Sequence, residues 1–255
     1  MGKQFRIGFD LDGVLADLAS AMAAVATRLP GGAIGRLSFG EPGGSAAGEI
    51  RGEPERAGET EASAANAGGD IEESEGHQWS PELTGEVWRE IRATEDFWET
   101  LDEIEPGVVA RLAALADEHR WEVVFLTQRP STRGRTTQRQ SQRWLADAGF
   151  PYPAVCVVSA SRGRIAEALA LDLVVDDRPE NCVDVVNDSK ARAVLIWRHG
   201  QHAVARTAQR LGIEVADSVN DCLDRLVAGF LSPGFRDGLA ERIKRWIDPS
   251  TSDPE

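Results

Sequence analysis

The chain has 255 residues and a formal net charge of −14 at neutral pH. This length allows one elaborated domain or two small ones, and the negative charge argues against polymeric DNA or RNA as a partner. No run of about 20 apolar residues is present, so we expect no membrane-spanning helix. The N-terminus lacks the features of a signal peptide, and the three cysteines have no paired spacing. Both patterns favour a cytoplasmic protein with reduced thiols.

The first predicted strand runs from Gln4 to Asp10 and ends in closely spaced acids, because Asp12 follows two positions after Asp10. A helix is predicted over residues 18–29. Residues 30–76 are rich in Gly, Ala, Glu and Ser and contain almost no large apolar side chains. Such a segment cannot offset the entropy of ordering by burial, so we predict that it is a flexible insertion.

Regular structure resumes at Ser80, a predicted N-cap, with Pro81 at the first helical position. From residue 107 onward, helices and strands alternate. The strands are nearly continuous runs of Val, Ile and Leu, a pattern typical of a parallel sheet covered on both faces. Predicted helices span residues 108–118, 133–148, 161–170 and 179–188, and predicted strands span residues 121–127, 154–159, 171–177, 191–198 and 213–217.

This order of elements predicts an α/β fold with a Rossmann-like core. We assign residues 1–13 and 105–230 to the core and residues 14–104 to an insertion after the first strand. Residues 231–255 are predicted to form an amphipathic helix and a tail. The apolar face of that helix would pack on the core or make a dimer contact, and its members are Phe235, Leu239, Ile243 and Trp246.

Polar side chains stand where three of the predicted strands end. Asp10 and Asp12 follow the first strand, Thr127 ends the next, and Asp176 and Asp177 end a later one. The carboxyl ends of parallel strands share one edge of the sheet, where ligands bind in open α/β folds. Carboxylates packed closely repel one another unless a cation balances them. Oxygen ligands without nearby His or Cys suit Mg²⁺, so the sequence predicts a magnesium site at this edge.

Three motifs resemble those of the haloacid dehalogenase-like phosphohydrolases. "IGFDLDGVL" resembles the first motif, "VVFLT" the second and "LVVDD" the fourth, in the same order over residues 5–216. The resemblance implies a Rossmann-like core, phosphoryl transfer and a Mg²⁺ cofactor. No lysine lies between Lys3 and Lys190, which excludes the phosphonate-cleaving branch of that family because its cap needs a lysine.

The resemblance also implies a role for each acid. Asp10 is the nucleophile that takes the phosphoryl group, and Asp12 is the general acid and base. Asp10 and the main-chain carbonyl of Asp12 are implied metal ligands. Asp176 is the implied third protein ligand, and Asp177 binds the ion through water or supports the ligands, although which of the two contacts the ion directly stays open. Gly13 lets the loop leave the strand without crowding the phosphate.

The phosphate-binding residues depart from the family pattern. The resemblance implies that the Thr127 hydroxyl holds phosphate oxygens, with Gln128 well placed beside it. The third motif usually supplies a lysine, whereas Arg162 stands at that position here, with Arg164 as the nearest alternative. Arginine keeps the positive charge but has a larger, forked geometry. The exchange reflects either a general preference for arginine in this chain or an altered activity.

The insertion stands where that family places a helical C1-type cap, which closes on the substrate. Phe97 and Trp98 resemble an aromatic pair that stacks on the base in 5′(3′)-deoxyribonucleotidase-like relatives, and packing of the cap on the core is the alternative interpretation. Arg129, two residues after Thr127, would contact an anionic substrate or lie on a solvated helix face.

We therefore predict Mg²⁺-dependent hydrolysis of a small phosphomonoester through an aspartyl-phosphate, with a nucleoside 5′-monophosphate as one candidate substrate. Two alternatives stay open. One is a catalytically weak phosphate-binding or regulatory protein, and the other is a phosphomutase or another phosphotransferase. The predicted partner is a small phosphorylated metabolite, with no nucleic acid and no membrane.

Overall fold

The computed structural model describes residues 4–29, 79–198 and 202–229. It divides into two compact units, which we call the core unit and the second unit. Of the described residues, the core unit contains 4–18, 98–129, 136–198 and 202–229, and the second unit contains 19–29, 79–97 and 130–135. The flexible insertion predicted over residues 30–76 and the helix and tail predicted over residues 231–255 lie outside the described residues.

The core unit is built on a parallel sheet of six strands in the order β3-β2-β1-β4-β5-β6. Each neighbouring pair runs parallel. The first strand is central, and the strand order reverses beside it, which places the ends of β2 and β4 on its two sides. The strands are β1 Arg6–Asp10, β2 Glu122–Thr127, β3 Ala154–Val157, β4 Leu173–Asp176, β5 Arg192–Ile196 and β6 Glu214–Ala216.

The described helices alternate with these strands, so the predicted α/β fold with a parallel sheet is confirmed. The helices are α1 Leu18–Arg28, α2 Pro81–Ala93, α3 Val108–His119, α4 Thr137–Asp147, α5 Arg162–Ala168, α6 Pro179–Asp188, α7 His202–Arg210 and α8 Val219–Val227, with a short 3-10 helix over Phe97–Glu99. Within the described residues, no helix has the length and apolar character needed to cross a bilayer.

Both faces of the sheet are buried. Val174 of β4 and Leu195 of β5 belong to a hydrophobic cluster that also contains residues of α5, α6 and α7. The neighbouring residues Val175 and Val194 are equally buried but lie outside this cluster. Since successive strand residues point to opposite faces, the second face is also covered. Burial of this kind explains why the strands are nearly continuous apolar runs.

The boundary of one helix differs from its prediction. Helix α4 was predicted from Arg133 and begins at Thr137, after the N-cap Thr136. Gly134 has φ of +90°, and a Cβ there would overlap the carboxylate of Asp96. The main-chain N–H of Arg135 donates to that carboxylate at 2.7 Å. A turn held by a side chain 39 residues away therefore takes the place of the first predicted helical turn.

The predicted start of α2 is confirmed. Ser80 is the N-cap, its hydroxyl accepts a hydrogen bond from the Leu83 N–H at 3.3 Å, and Pro81 opens the helix. Proline suits this position because the first N–H groups of a helix have no intrahelical acceptor.

Candidate active site

The central strands bring three of the predicted residues to one edge of the sheet. Asp10 is the last residue of β1, Thr127 the last of β2 and Asp176 the last of β4. All three are buried. Because β1 pairs with both β2 and β4, parallel pairing alone places these side chains at the carboxyl edge of neighbouring strands.

Arg162 joins two of these acids. It is the first residue of α5 and is 2% exposed. Its Nη2 donates to Oδ1 of Asp10, and its Nε donates to Oδ2 of Asp176 at 3.3 Å. Its Nη1 is buried and has no hydrogen-bond partner. Arg164, the alternative position for the third-motif charge, is exposed, so the geometry supports Arg162.

A glycine allows α5 to approach α6 closely enough for this contact. A Cβ on Gly163 would overlap the main-chain oxygen of Asp184 and lie 2.6 Å from the Cβ of Asp188. Any larger residue would push the start of α5 away from α6. Since Arg162 is the neighbouring residue, its reach to Asp10 depends on this close packing.

We predict that Gly163→Ala lowers the free energy of unfolding by about 1–3 kcal/mol, because a methyl group must be forced between two helices. Turnover should fall with it as Arg162 is displaced. The matched control is Gly85→Ala in α2, where an added Cβ meets nothing within 4 Å. This control should be neutral or stabilising by up to about 1 kcal/mol. Urea unfolding and activity assays of both variants provide the measurement, and equal behaviour of the two would contradict the prediction.

The two acids that end β4 have different surroundings. Asp176 accepts hydrogen bonds from Arg162, from the Arg178 N–H at 3.0 Å and from Nδ2 of Asn181 at 3.0 and 3.1 Å. In contrast, Oδ1 of Asp177 is buried without a hydrogen-bond partner. Asn181 was not predicted as a site residue, although it stands four residues beyond the paired acids, where the first turn of a helix returns towards the strand end.

The Asp177 carboxylate lies against the loop that follows β1. A Cβ at Gly13 would overlap this carboxylate, and Gly13 has φ of +80°. Glycine is therefore required here both for the backbone conformation and for the approach of the acid. The sequence predicted the need for glycine but not the side chain that comes close to it.

Burial raises the pKa values of the clustered acids. The pKa of Asp10 is well above its usual range because burial outweighs the favourable charge of Arg162, and Asp176, Asp177 and Asp12 add repulsion. Burial also raises the pKa of Asp176, and burial and Asp176 raise the pKa of Asp177 to about 8. The buried positive charge of Arg162 therefore does not balance the acids around it.

An additional cation fits this charge imbalance. In the described ranges, no group of three or more His, Cys, Asp or Glu side chains is arranged to hold a metal ion. A set made of the Asp10 and Asp177 carboxylates and the Asp12 main-chain carbonyl contains only two such side chains. The unpartnered oxygen of Asp177 and the raised pKa values fit a hard, oxygen-binding cation such as Mg²⁺.

Asp12 is paired with the arginine that follows the second motif. The Nε of Arg129 lies 2.9 Å from both carboxylate oxygens of Asp12, and its Nη2 lies 2.8 Å from Oδ1. The Thr127 hydroxyl lies 3.4 Å from Oδ2 of Asp12 and accepts the Arg129 main-chain N–H at 3.1 Å. The Arg129 side chain is fully buried, so it does not lie on a solvated helix face. The sequence did not indicate that this arginine would contact the second acid.

The predicted aromatic pair is also buried. Trp98 is 0% exposed and Phe97 is 4% exposed. The ring of Trp98 lies 4.9 Å from the Arg129 guanidinium, and its main-chain N–H donates to Gln140 at 3.1 Å. Neither ring presents a face for a nucleobase in this conformation. Gln128 differs from these residues because it is exposed.

A second arginine, not predicted from the sequence, holds the loop after Asp12. Arg198 follows β5, and its guanidinium donates to the Gly13 carbonyl at 2.6 Å and the Val14 carbonyl at 3.1 Å. It also pairs with Glu105 at 2.7 Å. Its place just beyond the end of a parallel strand was the only available signal.

Comparisons with known proteins add little to this geometry. No protein-family model matches the chain, and no curated protein matches it. Among solved structures, it is similar to a hydrolase from Pseudomonas syringae, with 14% identity, a TM-score of 0.46 and coverage of 89% of this chain and 99% of the other. It is also similar to a candidate beta-phosphoglucomutase from Thermotoga maritima, with 17% identity, a TM-score of 0.45 and coverage of 88% and 99%. Likeness at this level shows nothing about the reaction.

Proposed function

We propose that the protein is a Mg²⁺-dependent phosphatase of the haloacid dehalogenase type that hydrolyses a small phosphomonoester. The observation that carries the proposal is the contact of Arg162 with Asp10 at the carboxyl end of the central strand. A buried carboxylate beside a guanidinium with an unpartnered Nη1 offers a nucleophile and a phosphate-binding donor in one place.

The residues support a two-step reaction. In the first step, a carboxylate oxygen of Asp10 attacks the phosphorus, and the bond from phosphorus to the leaving oxygen breaks. Asp12 gives its proton to that oxygen, which releases the alcohol and leaves an aspartyl-phosphate on Asp10. In the second step, Asp12 takes a proton from water, and the resulting hydroxide attacks the phosphorus. Inorganic phosphate leaves and the Asp10 carboxylate is restored.

Other side chains bind and orient the phosphoryl group in this proposal. Nη1 of Arg162 and the hydroxyl of Thr127 would donate to its oxygens. Asp10, Asp177 and the Asp12 carbonyl would hold Mg²⁺, which when bound supplies positive charge to the transferring phosphoryl group. Asp176 would act indirectly, because its oxygens already accept from Arg162, Arg178 and Asn181. The proposal therefore takes Asp177 as the direct metal ligand, in place of Asp176, which the resemblance implied.

The second unit is proposed as the C1-type cap, since it lies mainly between β1 and β2 in the chain. A nucleoside 5′-monophosphate is retained as a candidate substrate, but the burial of Phe97 and Trp98 gives no support for base stacking. The alternative of a phosphate-binding protein with weak turnover is favoured by one observation, the arginine in place of the usual lysine. Cytoplasmic location and the absence of nucleic-acid and membrane partners stay predictions.

Phosphate release from a panel of phosphomonoesters, nucleotides included, tests the proposal. Wild-type protein should release phosphate with Mg²⁺ and not with EDTA, and Asp10→Asn should lower kcat by about 10⁴-fold or more because no nucleophile remains. Isomerisation of a sugar phosphate with little net phosphate release would indicate a phosphomutase instead. A folded wild-type protein that binds beryllium fluoride at Asp10 but turns over no substrate would indicate the phosphate-binding alternative.

A further inference from the structure

We infer that Arg129 is a positioning residue that holds the carboxylate of Asp12 for proton transfer, and that it is not a ligand of the substrate phosphate. This inference rests on the proposed function, because it assigns a task to a neighbour of the proposed general acid. It also replaces the direct substrate contact that the sequence suggested for Arg129.

The Arg129–Asp12 pair has a forked geometry. The Arg129 guanidinium meets Asp12 through two nitrogens, with three N–O distances between 2.8 and 2.9 Å. A forked contact of this kind fixes the plane of the carboxylate as well as its position. Among the residues that the structure describes, the only other hydrogen bond to this carboxylate is the 3.4 Å contact of the Thr127 hydroxyl. Without Arg129, the Asp12 side chain would have little to hold its orientation.

The Arg129 guanidinium is held by several other parts of the protein. Its Nη1 donates to the Ser141 hydroxyl at 3.0 Å, so each of its three nitrogens has a protein partner. Its guanidinium lies 4.9 Å from the ring of Trp98 and 5.8 Å from the ring of Trp144. These distances are within the range of cation–π attraction. The side chain is also 0% exposed, so a phosphate could reach it only if the surrounding residues moved.

The two tryptophans beside Arg129 are themselves held in place. The main-chain N–H of Trp98 donates to buried Gln140 at 3.1 Å. The indole N–H of Trp144 donates to the Leu101 carbonyl at 2.7 Å. The backbone of Trp98 and the ring of Trp144 are therefore each held by a hydrogen bond, and both rings are buried beside Arg129. Such preorganisation is what a residue that aims a catalytic group requires.

The loss of rate caused by a misplaced general acid depends on the leaving group of the substrate. This dependence distinguishes a positioning role of Arg129 from a structural role or a phosphate-binding role. A nitrophenolate leaves readily without a proton, whereas an alkoxide does not. Loss of general acid catalysis therefore slows alkyl phosphates by about 100-fold or more and aryl phosphates far less. A general structural defect would slow both classes equally, and loss of a phosphate ligand would weaken the binding of both substrates and of inorganic phosphate.

The experiment compares Arg129→Lys and Arg129→Met with wild type on p-nitrophenyl phosphate and on an alkyl phosphate, with inorganic phosphate as inhibitor. We expect kcat/KM to fall by about 100-fold for the alkyl ester and by less than about tenfold for the aryl ester, with the phosphate inhibition constant unchanged. The lysine variant keeps the charge without the fork and should show the same selectivity. Arg143→Met is the control, since Arg143 lies on α4 beside Trp144 but is half exposed and pairs with Glu99 at 3.0 Å.

Equal losses on the two esters, or a large rise in the phosphate inhibition constant, would overturn the inference while leaving the proposed function intact. Wild-type protein without Asp10-dependent turnover would overturn the proposed function itself. A measurement independent of turnover then tests whether Arg129 and Asp12 interact. It compares the free energies of unfolding of Arg129→Met, Asp12→Asn and the double variant. We expect the double substitution to destabilise less than the sum of the single ones, and additive effects would show that Arg129 does not hold Asp12.

Discussion

Arg162→Ala should lose nearly all turnover and should also lower the free energy of unfolding by about 3–5 kcal/mol, because it leaves two buried carboxylates without their cationic partner. Arg162 contacts both Asp10 and Asp176 and is 2% exposed. Loss of its Nη1 should also weaken inhibition by inorganic phosphate. Denaturant unfolding, steady-state kinetics and phosphate inhibition measure the three effects.

The matched control is Arg164→Ala, two residues further along α5 and exposed. It removes the same charge and should leave stability within about 0.5 kcal/mol and turnover unchanged. Arg162→Lys should retain part of both properties, because lysine keeps the charge without the fork. Unchanged turnover and phosphate inhibition in Arg162→Ala would show that the third-motif charge lies elsewhere.

The second large effect concerns Asp177 and depends on pH. Its pKa is about 8 in the folded protein, whereas the ordinary value is 3.8. Between about pH 4 and pH 8 the unfolded chain has lost this proton and the folded protein retains it. The stability contributed by Asp177 is thus fully present below about pH 4 and is lost as the pH rises towards about 8. The metal-free wild type should become less stable over that range, and Asp177→Asn should flatten the profile.

Mg²⁺ should reverse this loss, because ion binding requires the deprotonated carboxylate. At 100-fold excess over its Kd, Mg²⁺ should raise the Tm of wild type by about 5–10 °C, with a larger increase at pH 8 than at pH 6. Asp177→Asn should abolish the increase, and Asp147→Asn, at the exposed end of α4, should preserve it. Thermal unfolding with and without Mg²⁺ tests this prediction. If Mg²⁺ raised the Tm of Asp177→Asn as much as that of wild type, Asp177 would not be one of the metal ligands.

Residues that stand at strand ends were predictable from the sequence. Asp10, Thr127 and Asp176 terminate apolar strands, and parallel pairing brings such ends together whatever the details of packing. The position of Arg162 near the strand ends could also be predicted from the sequence, because Arg162 is the first residue of the helix before β4. The sheet and most helix boundaries followed from the same alternation of apolar strands with helices.

Residues whose position depends on packing between distant segments were not predictable. Arg129 and Asp12 are 117 positions apart, and their pairing depends on the packing of Arg129 against Ser141 and the two tryptophans. The sequence also could not distinguish whether Trp98 stacks on a ligand or packs inside the protein, because both uses need an aromatic ring. The start of α4 was missed for the same reason, since Asp96 shapes the preceding turn through a side-chain contact.

The contact between Arg198 and the loop after Asp10 can form only late in the synthesis of the chain. Glu105, which pairs with Arg198, also accepts the main-chain N–H groups of Val219 and Asn220 at the start of α8. The ribosome synthesises the loop after Asp10 early. Arg198 and the start of α8, which hold this loop directly or through Glu105, are synthesised about 200 residues later, many seconds afterwards. A nascent or prematurely terminated chain that lacks α8 would carry Asp12 on a loop that is not fully held, so completion of the proposed site would coincide with completion of the fold.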